Sequence, residues 1–502
     1  MASNTPVQDY IVATSDRRRE LRGARWEGLR QGGTSSLFPL APEMDRTRLH
    51  PRFEKGVTFE PYQAAAYVLP EPPDTTATED VAATAGLTAS EKLSVLLQHS
   101  AWPIRWEPLN GCGQHRAVPT PGALFPVDLY LIARTRNGPR ALYCSPRDLC
   151  LLESREVSED VTLEDEDALS LVIVGNLGRC VGIYGALALW LVALEAGMLQ
   201  AQIHFVARAL GWRLRPSVRH DDDALRTLVG IGHWSESPMV SCRLSGDRAG
   251  SALSDLSARP LETIRPRPHH ADADAHPSMR DFVQLAATAP IRTASGVATE
   301  YDAIGDAYDT PLDSFSILDL SDRRSSGIGN GIARWTRAMD AAVLDALLAD
   351  IRILVRGSGA HAVGTLPLCV TLVWKATQEA PVRIFDVDPV RPRMTPMPCS
   401  EDTLRAAREM CRYNTGILIT IGADGHLAGD GAAAHALINA YLRAGVLSQC
   451  MCLAAARNGM TARPFMAYPD DLKNLLMPLE MRALVQILIG FDPHPNPAFP
   501  IA

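Results

Sequence analysis

The chain has 502 residues, enough for two or three domains that each bury a core. Its formal net charge of -8 leaves no basic footprint for nucleic acid, and its 46% apolar composition is ordinary for a soluble globular chain. The N-terminal "MASNTPVQDYIVATSDRRRE" has no apolar core before a cleavage site, and the 10 cysteines include no C-x-x-C pair. The expectation is therefore a cytoplasmic protein with reduced, mostly buried thiols.

Residues 1–86 are rich in Pro and Arg with little periodicity and read as an extended arm and linker. A regular pattern begins at "TASEKLSVLLQHSA", a helix with Thr88 or Ser90 as its cap. In "RAVPTPGALFPVDLYLIA" a turn-rich loop leads into a strand over Val127–Ala133. "RALYCSPRDLCLLES" reads as a hairpin, and "ALSLVIVGN" as a buried strand or a short helix. A long apolar helix follows, then "RHDDDALRTLVGI" with Asp residues at a helix start, then the strand "PMVSCRLSG". These elements make up a first half, 87–247.

Over 248–311 the pattern dissolves into Ser/Ala/Asp-rich text, a linker or surface excursion. It holds His269, His270, Asp272, Asp274 and His276; no second ligand group is evident, so they read as a solvated loop and no metal is expected. "GIGNGI" follows no strand and is no dinucleotide fingerprint. Residues 312–502 repeat the earlier grammar. "AAVLDALLADI" is a helix, "LPLCVTLVWKA" and "GILITIG" are strands around the hairpin arm "APVRIFDVDP", and a second long helix precedes "YPDDLKNLLM" and the strand "ALVQILIG".

The two long helices are copies. "ALALWLVALEAGMLQAQIHFVARALGWRLRP", from Ala186, aligns without a gap with "AHALINAYLRAGVLSQCMCLAAARNGMTARP", about 248 residues later. Matched pairs include Leu194/Leu442, Ala196/Ala444, Gly197/Gly445, Leu199/Leu447, Gly211/Gly459, Arg215/Arg463 and Pro216/Pro464. The apolar run Val181–Leu194 is interrupted by Glu195 and falls short of the ~20 residues a membrane span needs, so no membrane is expected. Small residues such as Ala and Gly let helix backbones approach closely. The helix therefore reads as a pseudo-dimer interface fused into one chain.

Several stretches now resemble a known family. "RAVPTPGALFPVDLYLIA" is similar to the R-x-x-P-S-x-G-A-L-Y-P-x-E-L-Y signature of the SagB-type branch of the FMN-dependent nitroreductase superfamily. "LGRCVGIYGALALWLVALEAG" resembles its K-Y-G-x-R-x-Y-R-Y-x-x-x-E-A-G, and "RPSVRHDDDALRTLVGI" its G-F-D-D-D-x-L-x-x-L-L-G-L. In the second half "LDLSDRRSSGIGNGIARWTRAMDAAVLDALLADI" is similar to the superfamily's opening R-R-S-x-R-x-F … L-x-x-L-L. The resemblance covers about 87–247 and 312–496. It implies an α+β fold of two tandem nitroreductase-like halves, an intrachain pseudo-dimer with long central helices and antiparallel-rich sheets.

The resemblance also implies an FMN site. Arg323 and Ser325, with Arg324 between them, match the family's phosphate-binding residues; a dianionic phosphate favours charge-assisted hydrogen bonds from Arg and hydroxyl groups. Pro119, Thr120, Pro121, Gly122 and Ala123 match the loop that packs on the flavin ring, with Thr120 at the family's Ser. Phe465 and Met466 are expected to approach the ring in a loop after the second long helix. Taken alone, "RRSS" also fits a solvated helix entry, and the Pro-Gly loop a simple turn before a strand. The second half has His361 and Val363 where the first has the Thr and Gly of its loop, and no R-R-S precedes the first half's helix. The surviving pieces complement each other, which implies one FMN per chain between the halves.

Branch members include azoline dehydrogenases, which oxidise thiazolines and oxazolines of ribosomally made peptides to thiazoles and oxazoles. Their base is associated with a Lys-Tyr pair; here that pair is Ile183-Tyr184, and Trp190 stands at a family Arg. Tyr184 is the candidate for proton handling, or else a packed helix tyrosine. A free Tyr titrates near ~10, so it would need a stabilised phenolate or would only orient substrate. The expected function is FMN-dependent azoline oxidation of a thiopeptide-like precursor peptide, with dioxygen as acceptor and a cyclodehydratase or leader-binding protein as partner. The alternatives are a nitroreductase-like oxidoreductase using a nicotinamide donor on a small molecule, and a non-catalytic scaffold subunit. Whether the pseudo-dimer pairs again as a homodimer stays open.

Overall fold

The computed structural model describes residues 57–61, 65–67, 86–106, 114–135, 138–146, 150–156, 168–217, 222–231, 235–246, 248–253, 259–260, 266–270, 279, 281–283, 315, 339–358, 367–377, 379–391, 393–410, 416–424, 431–466, 470–478, 480–491 and 499–500. The arm contributes two short strands, β1 (Val57–Pro61) and β2 (Ala65–Tyr67). Helix α1 (Ala89–Gln98) opens with a reciprocal capping box: the Glu91 amide donates to the Thr88 hydroxyl, and the Thr88 amide donates to the Glu91 carboxylate. Two short strands follow, β3 (Arg105–Trp106) and β4 (Gln114–His115).

The body of the first half is β5 (Val127–Thr135), β6 (Gly138–Ser145), β7 (Cys150–Glu156), β8 (Ala168–Asn176), α2 (Gly178–Tyr184), α3 (Ala188–Ala209), β9 (Arg213–Ser217), α4 (Asp222–Val229) and β10 (Glu236–Ser245). "ALSLVIVGN" is thus the strand β8. Its Leu169, Leu171 and Ile173 face the main core, while Val172 and Val174 join Tyr130, Ile132, Val229 and Ile231 on the outer face. A strand buried on both faces loses its alternation, which is why its sequence pattern was ambiguous.

Within the 248–311 segment, β11 (Arg259–Pro260) pairs with β2, and β12 (Pro266–His270) pairs with β1. His269 and His270 therefore lie in a ladder opposite Thr58 and Val57, a correction to the loop expected there. Further on, Met279 and Phe282 are fully buried, with the Phe282 ring edge-on to Trp190 at 5.2 Å.

The second half runs α5 (Ala341–Ser358), β13 (Leu368–Trp374), β14 (Arg383–Asp388), β15 (Arg393–Pro396), α6 (Glu401–Met410), β16 (Ile417–Asp424), α7 (Gly431–Arg457), β17 (Thr461–Phe465), α8 (Asp470–Asn474) and β18 (Met481–Gly490). A last strand, β19 (Phe499–Pro500), crosses back to pair with β3 of the first half.

The two sheets share a six-stranded topology, to which the first adds β2 and β11 at one edge. The first is ordered β11-β2-β7-β6-β5-β8-β10-β9 and the second β15-β14-β13-β16-β18-β17; both are antiparallel. Each packs one face on its own central helix and the other on short helices, α4 in one half and α6 with α8 in the other. The expected α+β tandem pseudo-dimer is the fold of the chain.

The central helices α3 and α7 cross at their matched glycines. A Cβ on Gly197 would overlap the Leu442 carbonyl, and one on Gly445 would overlap the Leu194 carbonyl. Both pairs carry the same offset, so the crossing point lies on the pseudo-two-fold axis. Another pair of glycines closes the helices. Gly211 (φ +77°) and Gly459 (φ +69°) each adopt the left-handed conformation. Around them Trp212 N donates to Ala207 O and Met460 N to Ala455 O, the same Schellman cap twice. These helices are long and apolar enough to cross a membrane by length and composition, and most of each is buried inside the protein. The described cysteines are free thiols, mostly buried.

Candidate functional site

The segment from Arg116 to Phe125 carries the candidate loop into β5. Pro121–Ala123 form one 3-10 turn, with Gly122 left-handed at φ +55°. A Cβ at Gly122 would also sit 2.9 Å from the Tyr184 hydroxyl, so conformation and space both demand glycine. Phe125 is left-handed too, at φ +47°. For a bulky residue that is strain, and it persists only where neighbours hold it.

The holding groups are visible. The Thr120 hydroxyl accepts the Phe125 amide at 3.0 Å and donates to Glu195 Oε2 at 2.8 Å. Arg179, at the start of α2, donates to the Phe125 carbonyl at 2.7 Å and grips Asp128 of β5 through two bonds of 2.9 and 2.8 Å. The Tyr143 hydroxyl donates to the same carboxylate at 3.1 Å. The guanidinium of Arg116 lies 4.6 Å from the centroid of the Phe125 ring, and its buried Nε has no hydrogen-bond partner among the described residues. The turn is thus seated on five buried polar side chains, Arg116, Asp128, Tyr143, Arg179 and Glu195.

Their titration follows from burial. Desolvation pushes the Glu195 carboxyl up to about 8, against the pull of Arg116 and the Thr120 hydrogen bond. Desolvation lowers Arg116, with the Glu195 charge opposing it. Burial also opposes the charge of Arg179, but Asp128 beside it raises Arg179 above its ordinary value. Tyr143 is pushed up by burial first and by Asp128 second.

The turn lies where the halves meet. Gln449 of α7 donates to the Ala117 carbonyl at 3.2 Å and to the Gln202 side chain of α3 at 2.8 Å. Trp190 stacks on Tyr441 across the same interface, 4.5 Å apart and 12° from parallel. Farther along α3, the His204 ring contacts the Gly357 carbonyl of the second half at 2.7 Å, and Arg208 donates to that oxygen at 3.1 Å.

The structure keeps Pro119, Thr120, Pro121, Gly122 and Ala123 in one turn and places Gly122 beside the hydroxyl of Tyr184, a residue buried at the end of α2. Arg323, Arg324 and Ser325 lie outside the described residues. Pro464 and Phe465 belong to strand β17 and not to a loop. Phe465 packs on the outer cluster of Val373, Leu418 and Leu488, while Met466 is in the main core. Among the described residues no group of His, Cys, Asp and Glu could hold a metal ion.

Sequence reasoning passed over the polar residues beneath the turn. Glu195 entered as a break in an apolar run and as the Glu of the stretch resembling the family's E-A-G, with no role assigned, although one carboxylate inside a buried helix was itself the signal. Asp128 and Arg179 carried a weaker signal, a charge at the end of an otherwise apolar strand and another at a helix start.

No family model and no curated protein matches the chain. Among solved structures, a putative nitroreductase from Anabaena variabilis superposes with a TM-score of 0.62 at 17% identity, over 90% of this chain and 97% of that one. A putative nitroreductase from Ralstonia eutropha covers 38% of this chain and 97% of its own at 18% identity, with a TM-score of 0.27. A microcin synthetase complex from Escherichia coli covers 31% of this chain and 62% of its own at 14% identity, with a TM-score of 0.26. The full-length superposition makes the two halves nitroreductase-like in fold.

Proposed function

We propose that the chain is a flavin-dependent oxidoreductase that holds one FMN between its halves. The observation that carries this reading is the placing of the Thr120–Phe125 turn. It is strained and pinned from beneath, and the segment leading into it is held at Ala117 by Gln449 of the opposite half. Such a turn fits a flat ring whose polar edge takes backbone donors. The Thr120 hydroxyl is engaged on both sides, so its contribution to a ligand would come through the backbone. Arg323 and Ser325 are the proposed phosphate ligands and Arg324 their neighbour. Bound FMN would supply the two-electron redox chemistry, while the protein binds, orients and excludes water.

Two chemistries fit the reading. Reduction of a small molecule with a nicotinamide donor is supported by the full-length fold likeness to a putative nitroreductase. Azoline oxidation on a peptide is supported by the order of the motifs and by the Tyr184 hydroxyl held over Gly122, where it can orient a substrate or pass on a proton. In that case dioxygen is the acceptor and an azoline-containing precursor peptide the substrate.

The test begins with the visible spectrum of the purified protein and the FMN released per chain. About one FMN, lost in Arg323→Ala, is expected. Rapid bleaching of the flavin by NADPH without oxygen favours the first chemistry. Oxygen-dependent conversion of a thiazoline peptide to its thiazole favours the second. Failure to bind added FMN sinks both and leaves a scaffold.

A further inference from the structure

We propose that Glu195 is a positioning residue: by taking the Thr120 hydroxyl it holds the Pro119–Phe125 turn in the one conformation that presents its backbone to the flavin. This rests on the flavin reading above.

A carboxyl group on a buried apolar helix is costly and calls for a compensating role. Glu195 is 2% exposed on α3, whose other side chains in that region are Leu, Ala, Val and Gly. What it meets is the hydroxyl of Thr120, 75 residues earlier in the chain. That hydroxyl also accepts the Phe125 amide. One short relay, Phe125 amide to Thr120 hydroxyl to Glu195 carboxyl, therefore ties both ends of the turn to the central helix.

The turn needs the tie. Two of its residues, Gly122 and Phe125, occupy the left-handed region, and Phe125 does so with a bulky side chain. Arg179 holds the far end through the Phe125 carbonyl, and Gln449 holds the approach at Ala117. Glu195 supplies the grip between them.

Helix α7 does not repeat the carboxyl. The position matching Glu195 in α7 is Arg443, which cannot accept a hydroxyl proton. A single copy agrees with one ligand per chain. Burial keeps the Glu195 carboxyl largely neutral at pH 7, and a neutral carboxyl still offers its carbonyl oxygen to Thr120. Glutamine is then the conservative replacement, and serine is the conservative replacement for Thr120.

The test uses the full chain with four substitutions, Glu195→Leu, Glu195→Gln, Thr120→Val and Thr120→Ser. Two readouts are taken: the FMN dissociation constant from fluorescence quenching, and amide exchange over 117–127 in the ligand-free protein. Glu195→Leu and Thr120→Val should each weaken FMN binding by ~10-fold and speed exchange at Phe125, as loss of a buried hydrogen bond would. The Leu/Val double variant should be no worse than either single one, because both cut the same relay. Glu195→Gln and Thr120→Ser should stay within ~3-fold of wild type on both readouts.

Wild-type exchange and wild-type FMN affinity in Glu195→Leu and Thr120→Val would overturn the proposal. So would losses that multiply in the double variant, or Gln and Ser variants as impaired as Leu and Val. Should Glu195→Leu not fold, Thr120→Val, which keeps the side-chain volume, decides the matter. A wild-type chain that binds no FMN overturns the flavin reading, whereas unchanged exchange in the variants overturns the positioning role; the two failures are told apart.

Discussion

Where α3 carries Glu195, α7 carries Arg443; where α2 ends in Tyr184, the second copy reads Ala432; where Gln202 crosses the interface, the matching residue is Cys450. Against these stand the residues that did not change: Leu194 and Leu442, Gly197 and Gly445, Gly211 and Gly459. The kept set is the one backbone geometry dictates. Two glycines permit the helix crossing, and two more close the helices in left-handed caps. The altered set sits around one turn in one half. The repeat keeps a scaffold, and the buried charges of the first half give it a polar centre at the turn, apart from the Lys473–Asp470–Arg482 cluster of the second half.

That contrast can be broken at the interface first. Trp190 is fully buried and touches both the opposite half, through Tyr441, and the 248–311 segment, through Phe282. Trp190→Ala should cost about 3–5 kcal/mol, read as a fall in midpoint in a urea titration. Its copy in the second half, Ile438, is only partly buried, and Ile438→Ala should cost less. Equal losses would mean that the aromatic stack adds nothing to the joint.

Next comes the buried pair of the first half. Asp128→Ala leaves the Arg179 guanidinium buried without its carboxylate and releases the grip on Phe125, a loss of about 3–5 kcal/mol. The exposed pair Asp402–Arg405 on α6 is the control from the second half; Asp402→Ala should leave the unfolding midpoint unchanged. An Asp128→Ala variant as stable as wild type would remove the case for a charge-seated turn. Smaller effects are expected at the axis. Gly197→Ala and Gly445→Ala should each destabilise by about 1–3 kcal/mol and by similar amounts, since each methyl meets the same backbone atom of its partner. A clear inequality would show that the crossing is not symmetric in energy.

Much of this was readable from the chain. The strands β5, β8, β13, β16 and β18 are apolar runs, and the central helices announced themselves by their repeat. What escaped notice has a physical reason. Strands β9 "RLRPS" and β17 "TARPF" are at sheet ends, where Pro and Arg are tolerated, so they do not look like strands. Helix α6 buries only Ala406, Ala407 and Met410, two of them small, and its clearest mark, the Ser400 hydroxyl accepting the Thr403 amide, is a short-range cap. At the site, the Pro-Thr-Pro-Gly turn was legible because its conformation is local. The Thr120–Glu195 contact was not, because it joins residues that only the fold brings together.

The finest test of the difference between the halves is the pH dependence of stability. The Glu195 carboxyl rises from its ordinary 4.5 to about 8 in the folded chain, chiefly through desolvation. An unfolded chain ionises this group near 4.5, so between that value and about 8 unfolding releases a proton. The contribution of Glu195 to stability is complete below 4.5, declines as pH rises through this window, and levels off above 8. His99 and His204 act on the other side, each lowered to about 4 by burial; they add stability above 6.5 and withdraw it as pH falls towards 4. Above 6.5 these two histidines are silent, and the buried thiols of Cys144, Cys242 and Cys450, raised by burial from an ordinary 9.0, add their own fall only towards the top of the range. Melting temperatures from pH 6.5 to 8 should therefore fall in the wild type and fall less steeply in Glu195→Gln. The position's copy is Arg443, charged throughout this range, so Arg443→Gln should leave the slope as it is. Parallel curves for wild type and Glu195→Gln would mean that the carboxyl is already ionised in the folded chain, and that Arg116 neutralises it far better than its orphaned Nε suggests.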